Sequence, residues 1–223
     1  MQTFATPAPV SAVLDIPAGR IRFIAADRAD TTVEILPADA SRSRDVQAAE
    51  RIGVAYGDGV LRIEAAQATS RILGASGSVE VTVQLPAGSR IEAKAASAEF
   101  RAVGWFGDVA FEGAHGSIKL DEAASVRLVT VAGDVTIGRL NGPAEIRTGK
   151  GDIRIAEAVR GTVVLRTEAG DVSVGAAAGV SAALDAGTSY GRIHNALQNT
   201  EGAAAQLDIH ATTAYGDIVA RSL

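Results

Sequence analysis

Cysteine is absent from the 223 residues, and with it go disulfide cross-links, thiolate zinc sites and thiol catalysis. Aromatic side chains are scarce at 4%: five Phe, three Tyr and one Trp. A core with so few rings must be thin and regular, with Val, Ile, Leu and Ala packed in rows. Positive charge is not in excess, since 21 Lys plus Arg face 26 Asp plus Glu for a net charge of -5. Without a basic stripe to neutralise phosphates, nucleic acid is not an expected partner. No uninterrupted apolar run is long enough to cross a bilayer, and residues 1–19, MQTFATPAPVSAVLDIPAG, lack the basic segment followed by an apolar one that marks an export leader. The expectation is a cytoplasmic protein with no direct membrane insertion; cell-surface placement would require that a leader had been removed.

What the chain does contain is repetition. Residues 126–155 state one pattern twice: an apolar residue, four residues, then Gly-Asp-Val/Ile, as in Leu128 with Gly133-Asp134-Val135 and Ile146 with Gly151-Asp152-Ile153. Aligned on the glycine, the pattern recurs at Ala98, Gly116, Gly133, Gly151, Gly170, Gly191 and Gly216, at spacings of 18, 17, 18, 19, 21 and 25. Five residues before that step lie Ala93, Phe111, Leu128, Ile146 and Leu165, while a two-residue insertion in the last two units would put Leu184 and Ile209 in the same place. A period of about 18 is too short for a helix-containing repeat and fits one turn of a β-solenoid. Successive turns would stack in parallel at about 4.8 Å, each on the one before. Like residues then form columns, with Val135, Ile153, Val172, Ile193 and Ile218 as the interior one, all β-branched as a narrow sheet-lined core prefers.

The first third reads differently, as antiparallel β structure over residues 1–89. Residues 11–16 and 20–25 alternate on either side of Pro17-Ala18-Gly19, residues 32–36 follow, and residues 38–50 read as a loop or short helix. Residues 52–56 and 60–64 flank Gly57-Asp58-Gly59, a strong hairpin signal. Residues 65–77 read as an exposed connection, and residues 78–85, SVEVTVQL, form the cleanest alternating strand. The expected architecture is all-β: a small antiparallel region at 1–89 that caps about seven short solenoid coils at 90–223.

Candidate sites are few. Asp134, Asp152, Asp171 and Asp217 recur on one outer corner, where an aspartate serves as a turn residue bonding nearby N–H groups. The alternative is an acidic metal ladder, of which Asp134, Asp152 and Asp171 are weak candidates; calcium wants six to eight oxygens, and Arg154 or Lys119 two positions past the aspartate position supplies internal compensation instead. Neither a metal nor a cofactor is expected. Tyr190 and Tyr215 each precede the glycine and would lie together on one edge, either covering a corner of the core or offering a contact for a sugar or protein. Trp105 and Phe106 are either a hydrophobic plug beside the first region or an exposed anchor for a partner. The histidines His115, His194 and His210 fall at unrelated places in their units, and no nucleophile elbow or dinucleotide fingerprint is present, so no enzymatic activity is expected.

The run of T-x-x-G-D-V/I steps, the segment VTVQLPAGSRI at 81–91 and the segment TAYGDIVAR at 213–221 resemble the bacterial adhesin-like family of β-strand-repeat domains of unknown function, over nearly the whole chain. The resemblance implies a right-handed parallel β-solenoid preceded by a small β region, and the hexapeptide period of left-handed β-helices is missing. It carries no catalytic residues. The function expected is that of a non-enzymatic interaction protein whose solenoid face or end meets a protein partner or another copy of itself. The alternatives are an extracellular carbohydrate-binding adhesin and a scaffold for a membrane-associated or signalling partner.

Overall fold

A computed structural model describes residues 1–65 and 77–223, so most of the connection expected at 65–77 lies outside the described residues. The fold is all-β, as the composition and the repeat require. By contacts the chain divides into one unit of Met1–Gly107 with Phe111–Gly116 and a second of Asp108–Ala110 with Ser117–Leu223.

The first unit holds β1 (Gln2–Ala5), β2 (Ser11–Ala26), β3 (Asp30–Pro37), the helix α1 (Ser43–Glu50), β4 (Ile52–Gly57), β5 (Val60–Ala65), β6 (Val79–Pro86) and most of β7 (Arg90–His115). The β4–β5 hairpin forms around Asp58 and Gly59, both at positive φ, as the Gly-Asp-Gly signal predicts. β1, β3 and β6 are antiparallel neighbours.

β2 departs from expectation. Residues 11–25 do not fold back on themselves at Pro17-Ala18-Gly19; they form one strand that pairs in parallel with β5 through its first half, with β6 through its second, and with β7 along both. Gly19 pairs with Ala98 and Ile21 with Phe100, so Gly19 occupies the repeat's glycine position one layer earlier than the sequence alignment begins. At φ +148, an added Cβ would meet the Val79 carbonyl oxygen at 1.8 Å. The Pro-Ala-Gly triplet is therefore the corner of a parallel layer. This same pairing holds Arg90–Val103 with the N-terminal strands, which is why contacts divide the chain near Gly107 and not before Arg90. All five Phe lie in this unit, and Phe23, Phe100 and Phe111 follow one another through its core at 6.0 and 5.0 Å.

The second unit contains β8 (Ile118–Ala132), β9 (Val135–Leu140), β10 (Ala144–Lys150), β11 (Ile153–Ala158), β12 (Gly161–Ala169), β13 (Val172–Ala176), β14 (Ala182–Tyr190), β15 (Ile193–Ala196), β16 (Leu207–Tyr215) and β17 (Ile218–Ser222). Every strand pairing described here is parallel, in two columns. One runs from the second half of β8 through β10, β12 and β16 to β14. The other runs from the first half of β8 through β9, β11, β13 and β17 to β15. Val135, Ile153 and Val172 are register partners and fully buried, so the interior column forms.

The order of the layers is not the order of the chain. β16–β17 lies between β12–β13 and β14–β15, which makes the penultimate pair the outermost. Ile218 therefore sits inside the column at 1% exposure, while Ile193 ends it at 46%. The long spacings before Gly191 and Gly216 belong to this excursion and return. They are not insertions within strands: Leu165, Ala211 and Ala186 are register partners five residues before their glycines, and Leu184 and Ile209 align with Val163.

Candidate functional site

The repeated T-x-x-G-D step builds one edge of the second unit. At Gly133, Gly151, Gly170 and Gly216 the chain turns at φ of +149, +138, +154 and +152. Each layer also presses on the next, because a Cβ at Gly170 would meet the Gly151 carbonyl oxygen at 2.1 Å. Only glycine meets both demands. The threonine three residues earlier then donates its hydroxyl to a glycine carbonyl one layer away: Thr167 to Gly151, Thr213 to Gly170 and Thr188 to Gly216, each at 3.0 Å. Thr167 and Thr213 are buried, so these bonds satisfy hydroxyls that would otherwise be orphaned inside.

The aspartate after the glycine completes the step. Asp134 accepts the backbone N–H of Asp152 at 2.9 Å, Asp152 that of Asp171 at 2.9 Å, Asp171 that of Asp217 at 2.8 Å, and Asp217 that of Arg192 at 2.8 Å. Each carboxylate thus binds the next layer's main chain, as a turn aspartate should. Arg154 Nη2 reaches Asp152 Oδ2 at 3.0 Å, the compensation expected two positions along. Among the described residues no group of three or more His, Asp and Glu converges as a metal ligand set. The ladder ends where Arg192 stands in the aspartate position: it donates its N–H to Asp217 and pairs its guanidinium with the same carboxylate at 3.0 Å. The Arg192 N–H, and next its guanidinium, hold the Asp217 carboxyl below the ordinary carboxylate range. Arg192 was not singled out from the sequence; the signal was an arginine at Gly191-Arg192 where Gly133, Gly151, Gly170 and Gly216 are each followed by Asp.

Tyr190 and Tyr215 come together as register partners. Their ring centroids are 5.0 Å apart with planes 3° from parallel, and they are 69% and 60% exposed. Most of each ring's surface is therefore open to solvent. Trp105 and Phe106 part company: Phe106 is wholly buried in the first unit, and Trp105 lies half-exposed against Gly88. Of the histidines, His210 faces Asp185 at 3.3 Å on the surface of β16 and β14, while His194 is exposed on β15. Arg139 joins Glu122 and Glu157 across three layers at 4.0 and 2.5 Å, an exposed ion-pair row that ties β8, β9 and β11 together. No described helix is long and apolar enough to cross a membrane.

Comparison with known proteins places this architecture. None of the curated proteins matches the chain. Among solved structures, a "putative adhesin" from Bacteroides fragilis NCTC 9343 is 14% identical, with a TM-score of 0.59 over 98% of this chain and 95% of that one. A second "putative adhesin", from Parabacteroides distasonis ATCC 8503, is 14% identical with a TM-score of 0.45 over 100% and 95%. At these identities the first likeness speaks for the fold, which agrees with the resemblance read from the glycine-aspartate steps. The family model described as Toastrack DUF4097 matches residues 13–221, from the first parallel strand to the last, and the chain belongs to that family.

Proposed function

We propose that this chain is a non-enzymatic interaction protein that takes a protein partner, a second copy of itself included, along the outermost strand pair β14–β15. The observation that carries the reading is the incomplete burial of that layer. All four residues of β15 are exposed, and the inward row Leu184, Ala186 and Thr188 of β14 is only half-buried. Among the described residues no strand pairs with their outer side. Such an edge offers unpaired N–H and C=O groups beside apolar side chains, the arrangement that accepts an added strand. The inner layers, about seven windings in all and right-handed by analogy with the family, act as the support for that edge.

Light scattering of the full chain at rising concentration, alone and with proteins captured from the native host, tests the reading. Ile193→Lys with Ala196→Lys should abolish the mass increase or the capture, because both positions are exposed and charge on a strand edge opposes pairing. A monomer at every concentration with no partner retained, or a complex indifferent to both substitutions, would refute it.

A further inference from the structure

We infer that the open face of Tyr190, with the Arg192–Asp217 pair beside it, is a binding site for a neutral sugar ring. The second unit contains two aromatic residues, Tyr190 and Tyr215, while its interior is built from aliphatic side chains. Both rings stand in solvent, although burying a ring is ordinarily among the larger apolar gains open to a fold. The order of layers decides which face is available. Tyr215 has Ala169 as register partner on one side and Tyr190 on the other, whereas Tyr190 belongs to β14, beyond which no described strand lies. The stacked pair therefore acts as one thick platform, with Tyr215 supporting Tyr190 at 5.0 Å and 3° and the far side of Tyr190 open.

The polar groups around that platform define the ligand. Two residues along the chain from each ring are Arg192 and Asp217, joined at 3.0 Å, and the Arg192 side chain is 89% exposed. The guanidinium keeps further N–H donors for hydroxyl oxygens, and the carboxylate keeps lone pairs for hydroxyl protons. A pyranose has the matching construction: an apolar C–H face for the ring and equatorial hydroxyls at its rim. The two charges cancel, so neither a polyanion nor a cationic ligand finds an uncompensated opposite charge there. The net charge of -5 further disfavours acidic polymers.

An array of neutral and acidic oligosaccharides probed with the full chain, followed by titration of the best-bound neutral oligosaccharide, tests the assignment. Tyr190→Ala should weaken binding about tenfold or more, and Tyr190→Phe should retain it within about twofold, since the ring face and not the hydroxyl does the stacking. Arg192→Ala should give an intermediate loss. Because Tyr190 is exposed, the alanine variant should melt with the wild type, which separates lost binding from lost folding. Absence of binding to every neutral glycan, binding confined to acidic ones, equal binding by Tyr190→Ala, or a Tyr190-dependent complex with a protein alone would each overturn it. The Ile193→Lys, Ala196→Lys protein should bind the sugar as before, so this site and the strand edge fail or stand separately.

Discussion

Replacing Gly170 by Ala tests whether the layers are held at a spacing that leaves no room for a side chain at the corner. The new Cβ would lie 2.1 Å from the Gly151 carbonyl oxygen and 2.5 Å from its carbon, against an ordinary contact of about 3.5 Å. The layers would have to part by about 1 Å, yet their separation is fixed by sheet hydrogen bonds at about 4.8 Å. The bonds that bridge this gap beside the corner are Gly151 N–H to Ala169 O at 2.9 Å and the Thr167 hydroxyl to Gly151 O at 3.0 Å. Losing two at about 1 kcal/mol each, plus about 1–2 kcal/mol for an L-residue at this positive φ, gives a destabilisation of about 3–4 kcal/mol. Two other glycines supply the scale. Gly179 has φ +78 with nothing within 4 Å of its would-be Cβ, so alanine there carries only the backbone strain, about 1 kcal/mol. Gly187 has open space and no left-handed φ, so Gly187→Ala should be neutral or gain up to about 1 kcal/mol by restricting the unfolded chain. Urea unfolding followed by far-ultraviolet circular dichroism reads all three on one chain. If Gly170→Ala fell within about 1 kcal/mol of Gly187→Ala, the argument from layer spacing would be wrong.

Asp152→Ala removes the acceptor for the Asp171 N–H and should cost about 1 kcal/mol, while Asp152→Asn keeps an acceptor oxygen and should cost less; denaturation midpoints of the two variants decide. Thr213→Val keeps shape but deletes the bond to Gly170 O, and its loss of about 1 kcal/mol in the same assay should exceed that of any exposed threonine. Asp217 has a folded-state carboxyl held below its usual value of about 3.9. Its contribution is therefore complete above that value and is lost as pH falls through the folded one. Arg192→Ala removes the guanidinium but keeps the backbone N–H, the larger cause, so it should lessen without abolishing the decline in stability below about pH 4, measured as urea midpoints at successive pH values. Deleting residues 207–223 would remove an inner layer and strip β14–β15 of their pairing partners, so residues 182–196 should become rapidly cleaved in limited proteolysis. Continued protection of that segment would mean that β14 can settle directly on β12.

The parts of the fold legible in the sequence were those that repeat. Glycine at the corner, a branched aliphatic two residues on and threonine three before each reflect a single local geometry copied in every layer, and copying makes a weak signal readable. The hairpin at Gly57-Asp58-Gly59 was legible for a related reason, since both central residues carry their own conformational requirement. Layer order was not legible. Parallel layers share one register, so Leu207–Tyr215 fits beside Gly161–Ala169 as well as Ala182–Tyr190 does, and only burial separates the two arrangements: Ile218 is enclosed and Ile193 is not. The corner at Gly19 was missed because Pro17-Ala18-Gly19 carries the same residues as an ordinary reverse turn, with the parallel partner supplied by residues 90–103, far along the chain. At the candidate site, the meeting of Tyr190 and Tyr215 followed from register alone. Their exposure and the part played by Arg192 did not, because both depend on which layer is outermost.

The placement of β16–β17 inside the stack bears on how the protein is made. A ribosome releases β14–β15 before the strands that will separate them from β12–β13, so during synthesis the outer side of β12–β13 stands vacant or is held by a temporary occupant. The final layer must then enter between existing neighbours or arrive while they are still apart. Completion of this unit is accordingly a late event that awaits the segment Leu207–Ser222, and maturation of its outermost surface, including the paired tyrosines, is coupled to that arrival.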